Sequence, residues 1–406
     1  MVDVADVVIV GGGIGGASLA YALAREGLGV TVLEASEEFE DRVRGESMQL
    51  WGVREARELG VETIMLDAGA HITPLWKQYM EGFGEAGDIP MHLFVEGFDG
   101  TLNLRHPVAC QALIDAAAGA GATVVRGVRD VKLSGNGTPR VAYRRGGDTF
   151  EVDTSLVVGA DGRASTIRKQ AGIELERQEP VNFIAGLLLE GLDGVPEHDV
   201  LAGEGDLFFV LFHQGGGRAR AYICPGLSGR HRFSGPDGTQ RFLEACNMSC
   251  YPWSEQVMSA TPVGPCATYP GDDTWTATPY VDGIVLVGDA AGHNDPIIGQ
   301  GLSITLRDAR IVRDLVLDGA RTADAFASYG AERMERMARL RFMADVISVS
   351  QGEDADNRPA RRAFMVERMA NMDPEIMGLL MGMFAGPEAS PAELFGSDLL
   401  DRIRAA

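Results

Sequence analysis

The sequence has few cysteines and no long apolar run. Its five cysteines are too scattered for a disulfide framework, and they are best interpreted as small buried hydrophobic residues: Cys110, Cys224, Cys246, Cys250 and Cys266. Cys246 and Cys250 lie four positions apart, but no further histidine or cysteine pair with metal-ligand spacing accompanies them, so no metal site is predicted. No apolar run reaches the roughly 18 residues of a membrane-spanning helix, which argues against an integral membrane protein.

Positive charge is also scarce. The chain has 36 Lys and Arg against 58 Asp and Glu, a formal net charge of −22. Such a balance repels phosphate backbones and anionic lipids, so neither nucleic acid nor a membrane is an expected partner. The first ten residues lack the basic segment and cleavage site of a secretory signal, and we expect a cytoplasmic monomer or homodimer.

Residues 4–35 have the pattern of a dinucleotide-binding unit, which is a buried strand, a glycine-rich turn, a helix and a second strand ending in an acid. Gly11 is expected to form the tight turn, Gly13 to let the backbone approach a pyrophosphate, and Gly16 to let the helix pack closely on the strand. The free N–H groups at the helix start, near Ile14 and Gly15, would face the phosphates.

Glu34 ends the second strand, 18 residues after Gly16. A carboxylate there, followed by Ala35, can accept hydrogen bonds from an adenosine ribose, and it repels a 2′-phosphate. NADP is therefore disfavoured in this pocket, whereas FAD and NAD both remain possible.

The remaining pattern predicts an α/β fold: a doubly wound, Rossmann-like nucleotide-binding domain with an inserted, mostly antiparallel substrate sheet and a C-terminal helical segment. The nucleotide-binding domain is expected to be discontinuous, over residues 1–72, 100–180 and 277–328. The substrate domain would take residues 73–99 and 181–276, because apolar and polar residues alternate in several runs between 182 and 276. Residues 329–406 contain nine of the sixteen methionines and are expected to form a helical cap.

Two shorter patterns predict elements of the nucleotide-binding domain. A two-residue Gly146–Gly147 turn between alternating segments predicts a β-hairpin. A long helix is expected from about Gly301.

Three separated motifs together resemble the single-component (group A) flavoprotein monooxygenases, whose type member is para-hydroxybenzoate hydroxylase. The first is GGGIGG with Glu34. The second, LVVGADGRASTIR at 156–168, resembles the family's DG motif and matches it at Asp161, Gly162, Ser165 and Arg168. The third, GDAAGHNDPIIGQG at 288–301, resembles the family's GD motif and matches it at Gly288, Asp289, Pro296, Gly299 and Gly301.

The resemblance implies FAD as cofactor. Asp289 would bind a ribityl hydroxyl, and the backbone from Pro296 to Leu302 would present N–H groups to the flavin N1/C2 edge. Arg44, or less favourably Arg42, would contact the FAD phosphates, and Arg105 the ribityl–phosphate chain. The chain departs from the family at two places near the flavin, with Gly292 where histidine is usual and Ser303 where asparagine is common.

The implied chemistry is NADH- or NADPH-dependent reduction of FAD, followed by transfer of one oxygen atom of O₂ to an activated aromatic substrate through a flavin C4a-hydroperoxide. In the resemblance, Asp161 serves both FAD and the transient nicotinamide, and Pro296 belongs to the loop at the reacting ring. We expect the inserted sheet to roof the substrate cavity with Phe208, Phe209 and Phe212. His213 and Tyr222 are candidates for binding or deprotonating the substrate.

Other functions remain open at this stage. GESM at 45–48 also resembles flavin-dependent halogenases, in which case Lys77 would be the catalytic lysine, although the WxWxIP motif is absent. An alkene reductase of the geranylgeranyl reductase type would share the FAD fold but transfer hydride without O₂. A flavin-binding protein without turnover is the third alternative.

Overall fold

The computed structural model describes residues 3–43, 45–135 and 139–406. Arg44 lies outside the described residues. The strands, numbered along the chain, are β1 Asp3–Val10, β2 Val30–Glu34, β3 Ser47–Met48, β4 His71–Thr73, β5 Leu75–Met80, β6 Gly84–Pro90, β7 Thr101–Asn103, β8 Thr123–Arg126, β9 Arg129–Ser134, β10 Arg140–Arg145, β11 Asp148–Gly159, β12 Glu176–Gln178, β13 Phe183–Glu190, β14 Asp199–Glu204, β15 Leu207–His213, β16 Arg218–Pro225, β17 Thr261–Pro270, β18 Asp273–Trp275, β19 Tyr280–Val281 and β20 Ile284–Leu286.

The helices are α1 Ile14–Arg25, α2 Leu50–Leu59, α3 Glu62–Asp67, α4 His106–Gly119, α5 Thr166–Gln170, α6 Gly238–Ala245, α7 Ser254–Met258, α8 Gly301–Leu317, α9 Ala327–Ile347, α10 Arg358–Ala370, α11 Pro374–Ala385 and α12 Leu399–Ala405. None of these described helices has both the length and the apolar character needed to cross a membrane.

The first large sheet carries the nucleotide-binding unit. Its central strands have the order β20-β11-β1-β2-β8 and pair in parallel, as expected for buried strands made of Val, Ile and Leu. Helices α1, α4 and α8 pack on this sheet in one apolar core. The α/β fold class with a doubly wound sheet is confirmed.

The Gly146–Gly147 hairpin is also confirmed. It joins β10 to β11, and both glycines have the positive φ that a two-residue hairpin turn requires. The strand after the turn, β11, runs without interruption from the hairpin into the parallel sheet. The strand β11 therefore belongs both to the hairpin and to the parallel sheet.

The second large sheet has the order β17-β13-β16-β15-β14-β5-β6 and is antiparallel except where β14 meets β5. One face packs on α6 and α7, which were not predicted. The other face packs against α9 and α11 and the loop before α8. Its strands lie within 75–90 and 183–270, and the exact domain boundaries stay a prediction.

Candidate cofactor and substrate site

A cavity of about 890 Å³ lies between the two large sheets. Its wall combines the turn after β1, the end of β2, the loops after β11 and β20, the start of α8 and the inner face of the second sheet. The predicted site residues that line it are Gly11, Gly13, Ile14, Gly15, Glu34, Ala35, Arg42, Asp161, Gly162, Tyr222, Gly288, Asp289, Pro296, Gly299, Gly301 and Leu302. The fold thus brings the three motifs to one place.

The glycine-rich turn is shaped by close backbone contacts. Gly11 has φ +103°, and a Cβ on Gly16 would lie 1.9 Å from the Gly11 carbonyl oxygen. Gly16 therefore does not line the cavity but lets α1 approach the turn. A Cβ on Gly13 would meet no heavy atom within 4 Å, so this backbone faces open space at the N-terminus of α1. That cradle fits a pyrophosphate.

Glu34 is held at the cavity wall by two backbone donors. The Gly12 N–H donates to Oε2 at 2.6 Å, and the Ser36 N–H donates to Oε1 at 2.7 Å. These bonds fix the carboxylate while leaving further acceptor capacity on each oxygen. The position fits a ribose diol.

Asp161 lines the cavity, yet its carboxylate already caps α5. It accepts hydrogen bonds from the Thr166 N–H at 2.6 Å and from the Ser165 hydroxyl at 2.5 Å. In the structure, these hydrogen bonds of Asp161 shape the loop after β11. Contact with FAD or a nicotinamide stays a prediction.

Arg168 is buried and does not line the cavity. Its Nη1 donates to the Ala290 carbonyl at 2.9 Å, and its Nη2 donates to the Arg163 carbonyl at 2.9 Å. The DG-motif arginine thus ties the loop after β11 to the loop after β20. It acts on the site through these two backbones.

Asp289 lies at the cavity wall with Arg163, a residue the sequence did not single out. Arg163 Nε and Asp289 Oδ2 are 3.3 Å apart, and both side chains are partly exposed. Asp289 follows Gly288, whose φ of +59° turns the chain after β20. The carboxyl end of a parallel strand is where open α/β sheets bind ligands.

A buried ion pair behind the cavity holds this GD loop. The Asp308 carboxylate accepts the Gly288 N–H at 2.9 Å and Arg333 Nε at 3.0 Å. Arg333 also donates to the carbonyls of Ala291 and Gly292, at 3.0 and 2.8 Å. One side chain of α8 and one of α9 therefore set the path of the loop that carries Asp289.

The loop before α8 is tied down by Gln300. Its Oε1 accepts the Trp51 indole N–H at 2.8 Å, and its Nε2 donates to the carbonyls of Ile298 and Met383, both at 3.1 Å. The first N–H groups of α8, at Gly301 onward, have no acceptor within the helix. They lie at the cavity wall, where they can face an anionic ring edge.

Two neighbouring polar residues complete this loop. Burial raises the pKa of Asp295 to about 6, although its carboxylate accepts the Ile297 N–H at 3.0 Å and the Ser348 hydroxyl at 3.1 Å. Asn294 lines the cavity, and its buried Oδ1 has no hydrogen-bond partner among the described residues. An unpaired buried acceptor fits a ligand that brings an N–H donor, as a flavin ring does.

The second sheet corrects two expectations, those for Phe209 and His213. Along β15, Phe208, Val210 and Phe212 line the cavity, whereas Phe209 and His213 do not, because successive side chains point to opposite faces. His213 is buried on the far face, where burial lowers its pKa to about 4. It therefore cannot reach a substrate in this cavity.

Tyr222, by contrast, does line the cavity, and it reveals an unpredicted cluster. Its hydroxyl donates to the Glu46 carboxylate, and Arg220 Nε lies 3.2 Å from Glu46 Oε1. Arg220 also pairs with Asp41. Glu46, Arg220 and Tyr222 are almost fully buried, whereas Asp41 is partly exposed. Glu46 and Asp41 come from the loop after β2, so the cluster joins the two halves of the site.

Burial raises the pKa of Glu46, and Arg220 only partly offsets that effect. Burial also raises the pKa of Tyr222 well above its ordinary value. The hydroxyl therefore stays protonated at neutral pH. The sequence offered one signal for this site, the GES segment, and it was interpreted as halogenase likeness instead.

Of the remaining positively charged residues predicted for the site, only some line the cavity. Arg42 lines the cavity, but Arg105 is the N-cap of α4 and does not, whereas the next residue, His106, does. Lys77 lies on β5 beside the cavity-lining Trp76 and faces the other way. It pairs with Glu85 at 2.8 Å and Asp88 at 3.1 Å, so the halogenase interpretation loses its catalytic lysine.

Residues 4–342 match the family described as FAD binding domain. Kynurenine 3-monooxygenase of Salinispora tropica is 28% identical over 399 residues, covering 90% of this chain and 83% of that protein. The 6-methylpretetramide 4-monooxygenase of Streptomyces rimosus is 26% identical over 392 residues, covering 89% of each. The crystal structure of p-nitrophenol 4-monooxygenase PnpA from Pseudomonas putida DLL-E4 superposes with a TM-score of 0.77 at 17% identity, covering 95% of this chain and 98% of that chain.

The family match covers most of the chain, including all three motifs that meet at the cavity. Both relatives are monooxygenases by name, which confirms the resemblance to flavoprotein monooxygenases. This chain belongs to the FAD binding domain family.

Proposed function

We propose that the chain is an FAD-dependent monooxygenase that transfers one oxygen atom of O₂ to an aromatic substrate, with NADH or NADPH as electron donor. One observation supports this above all. A single cavity joins a dinucleotide cradle to an aromatic-lined sheet face. Bound FAD supplies the electron transfer from nicotinamide and the activation of O₂.

In this proposal the nucleotide end is bound by backbone. The N–H groups at the start of α1 hold the pyrophosphate, where Gly13 leaves room for it. Glu34 accepts the ribose hydroxyls, and Asp289 accepts a ribityl hydroxyl. Of the arginines predicted to bind the phosphates, Arg42 is the one described at the cavity wall.

The flavin end is bound by the loop from Pro296 to Leu302. Its N–H groups and the positive end of the 17-residue helix α8 stabilise negative charge on the reduced ring. Gln300 anchors this loop to α2 and α11, so the donors keep their positions during turnover. Pro296 belongs to this loop and lines the cavity next to the sheet face.

The substrate end is lined by apolar and aromatic side chains. Trp76, Phe212 and Tyr222 form a chain of edge-on aromatic contacts, with ring centroids 5.6 and 6.0 Å apart. Ile347 and Met383, from the C-terminal helices, close the opposite side. A dry chamber protects a reactive oxygen species from water.

The test uses purified protein reconstituted with FAD and assayed against phenols and aromatic amines. NAD(P)H oxidation, O₂ uptake, peroxide and product are measured together. A monooxygenase consumes one NAD(P)H, one proton and one O₂ per hydroxylated product and water formed. With ¹⁸O₂ the product should gain one labelled oxygen.

Three outcomes would contradict the proposal. The first is protein that takes up no FAD. The second is alkene reduction that proceeds without O₂, as expected of a reductase. The third is a product whose formation requires bromide or chloride.

A further inference from the structure

The wall of the substrate end carries almost no charge. Its residues from the second sheet are Trp76, Ile184, Leu201, Phe208, Val210, Phe212, Tyr222, Cys224 and Tyr269, and none of them is a cation or a carboxylate. A ligand in this chamber is therefore buried mostly against apolar and aromatic groups. Its polar atoms must find partners at the few polar points of the wall.

Among the described residues, Glu46 brings a carboxylate to this end, beside Tyr222. Its counter-ion, Arg220, is shared with Asp41, so two carboxylates face one guanidinium. Arg220 itself does not line the cavity. An additional buried carboxylate next to this cluster would be repelled and would have no cation of its own.

The described arginines that line the cavity come from the nucleotide-binding half of the chain. Arg163 pairs with Asp289, and Arg129 donates to the Ala35 carbonyl beside the Glu34 ribose site. Arg42 follows the same stretch of chain after β2. None of these three lies on the second sheet, and Arg163, which is within electrostatic range of Tyr269, is already paired with Asp289. A substrate carboxylate therefore meets no described arginine on the sheet face itself.

The cluster instead suits a hydrogen-bond donor. The Tyr222 hydroxyl donates its hydrogen to Glu46, so its oxygen can only accept further hydrogen bonds, and it has one acceptor site beyond its contact with Tyr269. The Glu46 carboxylate also keeps acceptor sites beyond those used by Tyr222 and Arg220. Both residues line the cavity, so a ligand O–H or N–H can donate to either.

We infer that the substrate is an uncharged phenol or aromatic amine without a carboxylate, whose hydroxyl or amino hydrogen is accepted by Glu46 and Tyr222. The inference rests on the proposed function and adds a specificity rule to it. Recognition comes from one donor group and an apolar ring system. An acidic side group is rejected by charge.

The test is ligand binding to oxidised, FAD-loaded enzyme without nicotinamide, followed by the change in flavin absorbance. The probes are phenol, 2-naphthol and 2-hydroxyanthracene, each compared with its methyl ether and with a carboxylated counterpart. For the ring size that binds best, we expect the carboxylated probe to bind at least tenfold more weakly. The methyl ether, which has no donor, should bind at least threefold more weakly.

Two variants locate the effect. Glu46→Gln should reduce the penalty against the carboxylated probe at least threefold, and Tyr222→Phe should reduce the preference for the hydroxyl over the methyl ether. Matched controls are Glu190→Gln, a partly exposed partner of Arg218, and Tyr143→Phe, which stacks on Phe150 in the first sheet. Both controls should leave both ratios unchanged.

The inference is overturned if the carboxylated probe binds as tightly as its neutral parent, or if no hydroxyl-bearing probe binds. It is also overturned if folded, FAD-loaded Glu46→Gln keeps the full carboxylate penalty. If carboxylated aromatics, and no neutral ones, are hydroxylated with consumption of NAD(P)H and O₂, the inference is wrong but the proposed function still holds. Failure to bind FAD would instead remove both.

Discussion

At the scale of single residues, Gly13 and Gly16 differ in what an added methyl group would meet. We expect Gly16→Ala to lower the free energy of unfolding of the apoprotein by about 1–3 kcal/mol, because its Cβ would overlap the Gly11 carbonyl. Gly13→Ala should cost less than about 1 kcal/mol, since its Cβ points into open space.

The two variants should also differ in cofactor binding. Gly13→Ala fills the pyrophosphate cradle, so its Kd for FAD should rise at least tenfold although the apoprotein stays stable. Urea denaturation of apoprotein and FAD fluorescence titration measure the two effects separately. Equal losses of stability in both variants would contradict the packing difference, and an unchanged Kd for FAD in Gly13→Ala would contradict the proposed cradle.

Asp199 offers a residue-scale prediction on pH. The carboxyl is fully buried and accepts hydrogen bonds from Asn103 Nδ2 at 2.8 Å and from the His213 N–H at 3.2 Å. Burial nevertheless raises its pKa to about 8. The folded state thus holds this proton up to about pH 8, whereas the unfolded chain loses it near pH 4.

Because the folded state binds the extra proton, Asp199 stabilises the fold at low pH and loses that contribution as the pH rises from about 4 to about 8. Asp199→Asn does not titrate. Its unfolding free energy relative to wild type should therefore increase across this interval, as measured by urea denaturation at several pH values. The exposed control Asp237→Asn should show no such trend, and a flat difference for Asp199→Asn would contradict the assignment.

At the scale of elements, helices α8 and α9 support the cofactor loop through Asp308 and Arg333. Burial opposes ionisation of Asp308, but Arg333 and Arg336 hold its pKa below the usual value. The charged pair is therefore present at neutral pH. It binds the backbone on both sides of Asp289.

We expect Arg333→Met to lower the free energy of unfolding by about 3–5 kcal/mol, because it leaves a buried carboxylate short of a partner. The GD loop should also loosen, which raises the Kd for FAD. Arg339→Met on the same helix is the control, since Arg339 pairs with the exposed Glu335. Unchanged FAD affinity in a folded Arg333→Met protein would show that the Asp308–Arg333 ion pair does not position the GD loop.

At the scale of the whole molecule, FAD would touch both halves and should couple them. Trp51 lies on α2, which packs on α8 of the nucleotide-binding half, whereas Trp253 packs on the face of the second sheet that is turned away from the cavity. In single-tryptophan variants, saturating FAD should raise the unfolding midpoints of both probes equally. A hundredfold excess over Kd should add about 2.7 kcal/mol. If saturating FAD leaves the unfolding midpoint reported by Trp253 unchanged, the second sheet unfolds independently of the nucleotide-binding half.

The sequence predicted the nucleotide-binding half well because its signals are local. The turn, the helix start and Glu34 lie within the single unit of residues 4–35, and each residue has a distinct physical task. The inner face of β15 was harder to predict. Nearly every residue of LFFVLFH is apolar, so no polarity pattern separates the cavity face from the far face.

Long-range polar contacts were not predictable in this way. Glu46 meets Arg220 across 174 positions, and Arg333 reaches Asp308 across 25, with no local pattern to announce either pair. A charged residue in a sequence is most often exposed, so burial had to be seen in the fold. The buried ion pairs are what the structure adds to the three motifs.

The scattering of the cofactor-binding segments along the chain has a consequence for biosynthesis. The last of them, the start of α8, leaves the ribosome only after some three hundred residues have been joined, which takes about 15 to 60 s at 5–20 residues per second. Nascent chains therefore cannot load FAD early. The N-terminal nucleotide-binding segment therefore stays without FAD until the last cofactor-binding segment has been translated.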